Sequence, residues 1–181
     1  MGYLPDYTDQ GFLPIGRWQA NSLEDIANKY ISEDDYHRQR LWKEWAELTS
    51  LAKSAYGYII ACWLGGSFFT TKPDPEDIDC VYIIADKAFT NPIEPDHASI
   101  FQAIWRKGKH SVDIQVLRFR PFLGDEPIPS PERDYVRERG QWDEYWSKYR
   151  DKSLIIHKDK QAAYPSRGYL EVMIDGYPRP E

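Results

Sequence analysis

The chain has 181 residues, 41% of them hydrophobic, 15% aromatic and 29% charged, with a formal net charge of −6. That length suits one domain, the aromatic content excludes a disordered chain, and the acidic balance excludes a protein that is basic overall, though a local basic face remains open. Cys62 and Cys80 sit in apolar runs without C-x-x-C or metal-spaced histidines, which excludes a disulfide scaffold and leads us to expect a reducing, cytoplasmic setting.

The opening residues, MGYLPDYTDQGFLP, carry no basic region followed by a long apolar run, so no signal peptide is expected. No segment approaches the ~20 apolar residues that span a bilayer. Residues 1–21, punctuated by Gly2, Pro5, Gly11, Pro14 and Gly16, read as an irregular arm. Ser22-Leu-Glu-Asp25 has capping-box spacing and predicts a short helix to about Ile31. Ser32-Glu-Asp-Asp35 repeats the signal ahead of a longer helix to about Tyr56. Leu41, Trp45, Leu48, Leu51, Ala52 and Ala55 recur along it at steps of three and four, and Gly57 is a suitable stop.

The run 58–64, YIIACWL, is short and rich in β-branched and aromatic residues, as a buried strand is. GGSFFTTKPDPED is a loop, and Ile78–Ile84 a second buried strand. After a connection around Asn91–Pro95, Asp96 can cap a helix reaching about Lys107, with Gly108 as its stop. In Ser111–Arg118, Val112, Ile114 and Val116 alternate with Asp113, Gln115 and Leu117, as in a third strand. Pro121–Pro129 is a proline-rich loop. Ser130-Pro131 has the pattern of an N-cap followed by proline at the first helical position, with the helix running to about Tyr149 and interrupted at Gly140. Leu154–His157 and Tyr169–Ile174 read as two further short strands. This order predicts an α/β (α+β) domain with a small mixed sheet flanked by helices. We expect one domain over residues 1–181: an arm and helices to 57, a core over 58–118, and a terminal helix with short strands over 119–181.

The chemistry concentrates between Leu64 and Asp79. Strand alternation puts Asp77 and Asp79 on one face, where two carboxylates repel unless a cation lies between them. All-oxygen ligands suit Mg2+ or Mn2+. Asp113 interrupts an apolar strand, a costly place for a charge without a partner. If its strand lies beside the second one, the three acids can share a metal cluster suited to in-line phosphoryl displacement. Gly65, Gly66 and Ser67 form a turn whose backbone can approach a phosphate closely, and Lys72 adds a positive charge to the same loop. Singly, a D-x-D is usually a solvated strand end, a Gly-Gly-Ser an ordinary loop, and one strand Asp an edge residue. Their order along one chain is what makes coincidence a poor explanation.

The string WLGGSF…DIDCVYII…VDIQV resembles the signature of the DNA polymerase β-like nucleotidyltransferase superfamily over residues 58–118. The resemblance implies that fold. It also implies Gly66 and Ser67 at the triphosphate, Asp77 and Asp79 on the metal ions, and Asp113 completing one metal site and helping to activate the attacking hydroxyl. Within the superfamily the chain looks most like small stand-alone proteins of bacteria and their phages, some of them parts of toxin–antitoxin or defence systems. Phe68-Phe69-Thr70-Thr71-Lys72 stands where minimal members often carry Arg-Gly after Gly-Ser.

The expected reaction is transfer of a nucleoside monophosphate from an NTP, ATP or CTP on resemblance, to a hydroxyl of tRNA, protein or a small molecule. The rival expectation is an antitoxin or anti-defence protein that grips a toxin, another partner or a nucleotide without turnover. Arg106, Lys107, Lys109 and His110 read chiefly as a solvated helix end, and Arg118 and Arg120 as residues flanking the cleft. The stripe Trp142, Tyr145, Trp146, Tyr149 reads as core first and as a partner surface or base-stacking platform second. None of the four histidines receives a catalytic role.

Overall fold

The computed structural model describes residues 4–20, 22–107, 111–122, 127–148 and 164–178. Its elements run β1 (Gly16–Ala20), α1 (Leu23–Tyr30), α2 (Tyr36–Tyr56), β2 (Ile59–Gly65), β3 (Ile78–Ala85), α3 (Asp86–Thr90), α4 (Pro95–Lys107), β4 (Val112–Phe119), α5 (Ser130–Trp146) and β5 (Gly168–Met173). Among the described residues the strands form one mixed sheet in the order β1-β5-β2-β3-β4. β1 runs parallel to β5, β2 antiparallel to both β5 and β3, and β3 parallel to β4. No described helix is long and apolar enough to cross a membrane.

Local chemistry sets several boundaries. The Ser22 hydroxyl accepts the Asp25 N–H at the start of α1. Asp35, rather than Ser32, caps α2 by accepting the Arg38 N–H at 2.9 Å. α2 ends at Gly57, whose φ of 75° is open to glycine at little cost. The sheet is covered on both faces. On one side Leu41, Trp45, Leu48 and Ala52 of α2, with Phe101 of α4, pack on Cys62, Leu64, Cys80, Tyr82 and Ile114. On the other, Tyr135 and Trp146 of α5 pack on Trp63, Val81, Ile83, Leu117 and Tyr169. Trp45 and Trp63 are both fully buried; a large apolar side chain so placed contributes about 1.5–3 kcal/mol. Cys62 and Cys80 are buried, free thiols.

The structure departs from expectation in four places. The N-terminal arm contains β1, an exposed edge strand held by pairing with β5. The connection before α4 contains the one-turn helix α3. Ser130 is already helical, because Pro129 occupies the cap without a side-chain bond. Gly140 does not interrupt α5. The expected strand Leu154–His157 and the Gly108 stop lie outside the described residues.

Candidate active site

β2 runs against β3 and β5, so the end of β2 meets the starts of β3, β4 and β5 at one end of the sheet. Register then aligns Gly65 of β2, Asp79 of β3 and Asp113 of β4 in a single row. Neighbouring strands lie ~4.8 Å apart, so these residues are immediate neighbours. All three face α5, as do Val81, Ile83 and Leu117 farther along the same strands. Asp77 precedes β3 by one residue and lies within electrostatic reach of Asp79 and Asp113.

The Gly-Gly-Ser turn is fitted to its surroundings by two missing side chains. At Gly65 a Cβ would collide with the Trp146 ring, so the empty place in the row is where α5 seats its tryptophan. At Gly66 φ is +71°, and a Cβ would collide with the Asp79 carboxylate. The Gly66 backbone therefore rests directly against that carboxylate, an approach open only to glycine in a conformation that favours it. Ser67 is half-buried and its carbonyl accepts the Thr70 hydroxyl at 2.8 Å.

Beyond the turn, Arg38 of α2 holds the loop. It is only 7% exposed and its guanidinium donates to the carbonyls of Phe68, Thr70 (3.0 Å) and Lys72 (2.7 Å). Asp35 pairs with it at 3.1 Å, and the Phe68 ring lies under it at 5.2 Å. His37 adds a bond to the Pro75 carbonyl at 2.6 Å. Arg38 stands three residues before Leu41 on the buried side of α2; a charge continuing an apolar stripe is the sequence signal that would have revealed it.

The acids lie in one another's field. Burial, then the carboxylates of Asp77 and Asp113, push Asp79 up to about 6, with Arg167 opposing. Burial likewise raises Asp77, followed by Asp113 and Glu76, while Lys72 opposes. Both shifts disfavour negative charge, so the nearby cations do not neutralise the group. Among the described residues, no three or more His, Cys, Asp or Glu side chains are arranged so that they could hold a metal ion as they stand. Register brings Asp79 and Asp113 into one row, with Asp77 one residue before β3.

A cavity of about 570 Å³ opens in front of this row. Its floor is Asp79, Asp113 and Gln115; its wall is Glu138, Gln141, Trp142, Tyr145 and Trp146 of α5. Asp77, Gly66, Ser67 and Lys72 do not line it; they belong to the adjoining turn and strand start. Arg167, which reaches Asp79 electrostatically, donates to the Trp146 carbonyl at 3.2 Å. Nothing in the sequence near Arg167 marks it, because only the β2–β5 pairing brings it here. Trp146 is 3% exposed, and its indole N–H has no hydrogen-bond partner among the described residues.

One pair of candidates lies elsewhere. Arg118 and Arg120 both pair with Asp86 of α3, and Arg118 also covers the Phe89 ring at 5.4 Å. They belong to the far end of β4 and do not flank the cleft. Of the basic cluster, Lys109 and His110 fall outside the described residues, as does Tyr149 of the aromatic stripe.

Residues 5–173 match the model of a family described as a family of unknown function, DUF6932, and the chain belongs to that family. No curated protein and no solved structure matches it.

Proposed function

We propose that the protein is a divalent-metal-dependent nucleotidyltransferase that moves a nucleoside monophosphate from an NTP to an acceptor hydroxyl of tRNA, protein or a small molecule. The observation that carries this reading is the row of Asp79 and Asp113 on adjacent strands, with Asp77 in electrostatic reach of both and Gly66 pressed against the Asp79 carboxylate. The polymerase β-like fold is part of the same proposal; the mixed sheet and its acids support it.

The donor set suits Mg2+ or Mn2+. Carboxylates raised by burial and by one another stand to gain from a compact divalent charge, and oxygen ligands favour these hard ions. Rotation of side chains would gather Asp77, Asp79 and Asp113 around the ion. When bound, the ion supplies charge stabilisation for phosphoryl transfer. The chain's own contribution is positioning. Gly66 and Ser67 offer backbone N–H groups and a hydroxyl to phosphate oxygens, Lys72 offers a cation on the same loop, and Arg38 holds that loop in place. The acceptor oxygen bonds to the α-phosphorus as the bond to the β-phosphate oxygen breaks. Pyrophosphate leaves, and the hydroxyl proton passes to a carboxylate, a role we assign to Asp113.

The test is incubation of the protein, Mg2+ and each α-labelled NTP with host extract containing tRNA and protein. We expect label to enter one macromolecular class and to be lost in Asp79→Asn. A loss of ~1.4 kcal/mol in transition-state stabilisation is already tenfold in rate, so removing a metal ligand is easily seen. No transfer, or transfer undiminished in Asp79→Asn, would overturn the reading and favour a partner-binding protein without turnover.

A further inference from the structure

The cavity does not end at the acids. Glu138, Gln141, Trp142 and Tyr145 recur along α5 at steps of three, one and three, which puts them on one helical face, and all four line the same space as Asp79 and Asp113. Trp146, on the next turn, is spent on packing: it is buried against Gly65. Trp142 and Tyr145 are not used up in this way. Tyr145 is 60% exposed, Trp142 is half-buried, and their rings meet edge to face with centroids 5.8 Å apart and planes at 86°. Two large rings at right angles make a corner beside a polar floor. The amides of Gln115 and Gln141 and the carboxylate of Glu138 sit around it.

The space, about 570 Å³, is within the 300–1,000 Å³ usual for small-molecule sites. A corner of this kind suits a flat heterocycle with hydrogen-bonding edges. Either ring offers a face for stacking, and the amides and carboxylate can take up donors and acceptors on the rim. A nucleotide reaching from the acids to this corner would meet the carboxylates through the divalent ion of its phosphates and offer a π-face at the other end. We propose that Trp142 and Tyr145 form the platform on which the base of the donor nucleotide stacks, with Gln115 and Gln141 holding its edge. The proposal rests on the nucleotidyltransferase reading for the phosphate end and adds the part of the protein that recognises the nucleoside.

Base–aromatic stacking is sequence-tolerant and substantial in water, so the platform contributes affinity to every NTP and none to a ligand lacking a base. The test compares magnesium complexes of the four NTPs with magnesium tripolyphosphate, which has the phosphates alone, by calorimetric titration. Wild type is expected to bind the NTPs at least about fivefold more tightly than tripolyphosphate. Tyr145→Ala and Trp142→Ala are each expected to lose about that factor for NTPs and none for tripolyphosphate. Trp142 also touches the core, so Trp142→Phe, which keeps a ring, serves as its partner and should retain most of the NTP affinity. If wild type binds tripolyphosphate as tightly as every NTP, or if folded Tyr145→Ala and Trp142→Phe/Tyr145→Ala proteins bind NTPs like wild type, the platform is refuted and the transferase reading stands. If neither NTP nor tripolyphosphate binds, the transferase reading falls and takes the platform with it.

Discussion

At pH 7 an ionised Asp79 shares its surroundings with two other carboxylates, under a glycine that leaves it little room. Burial and like charge raise its carboxyl from the ordinary 3.8 to about 6. The native state therefore binds this proton more tightly than the unfolded chain does, and protonation favours folding. Stability from this source is complete below about pH 4 and lost as pH rises through about 6. A rise of that size corresponds to roughly 3 kcal/mol at most. Asp79→Asn keeps the shape and removes the charge. In metal-free buffer it should be the more stable protein at pH 7.5, by up to that roughly 3 kcal/mol, with the difference closing towards pH 4. Urea denaturation of both proteins across this range measures it. A variant less stable than wild type at pH 7.5 would mean that Asp79 is satisfied by its neighbours.

At the scale of elements, the loop after the Gly-Ser turn is held from outside itself. Arg38 serves three carbonyls of that loop from α2. Hydrogen bonds from a charged donor are worth about 1.5–3 kcal/mol each when measured by deletion, and such losses overlap. Arg38→Met should cost about 3 kcal/mol in urea denaturation, open residues 68–72 to protease, and weaken binding of magnesium–NTP. Arg38→Lys should rescue little, since an ammonium cannot reproduce the planar fork. Stability within about 1 kcal/mol of wild type in Arg38→Met would show that the loop holds itself.

Most elements were legible because their signals are local. Period-2 alternation set Asp113 opposite Ile114 in β4, and steps of three and four marked α2. β1 was not legible: GRWQA has no apolar alternation and becomes a strand only by pairing with residues 168–172. α3 is five residues long with no side-chain cap, too short for a periodic signal. The two readings of the stripe on α5 divide between its residues. Trp146 is core, while Tyr145 stands open to the cleft, a distinction set by where Gly65 leaves space. Arg118 and Arg120 lie away from the cleft because their partner, Asp86, belongs to α3, a helix too short to show in the sequence.

The whole molecule divides its sheet unequally. Among the described residues, one face is packed under α1, α2 and α4, while the other carries mainly α5, and the strand ends bearing the acids lie on the α5 side. The chain is acidic overall, at −6, so a polyanionic nucleotide approaches this end against the field unless a cation travels with it. Everything proposed for the site therefore depends on Asp77, Asp79 and Asp113 holding a divalent ion together. The direct measurement is titration of the protein with Mn2+, reading free ion by electron paramagnetic resonance, for wild type and for the Asp→Asn variant at each of the three positions. Wild type should bind saturably, and each variant should lose at least about tenfold in affinity, since each removes one charged ligand. Equal Mn2+ binding by wild type and all three variants, or no saturable binding by wild type with or without NTP, would contradict the shared metal site.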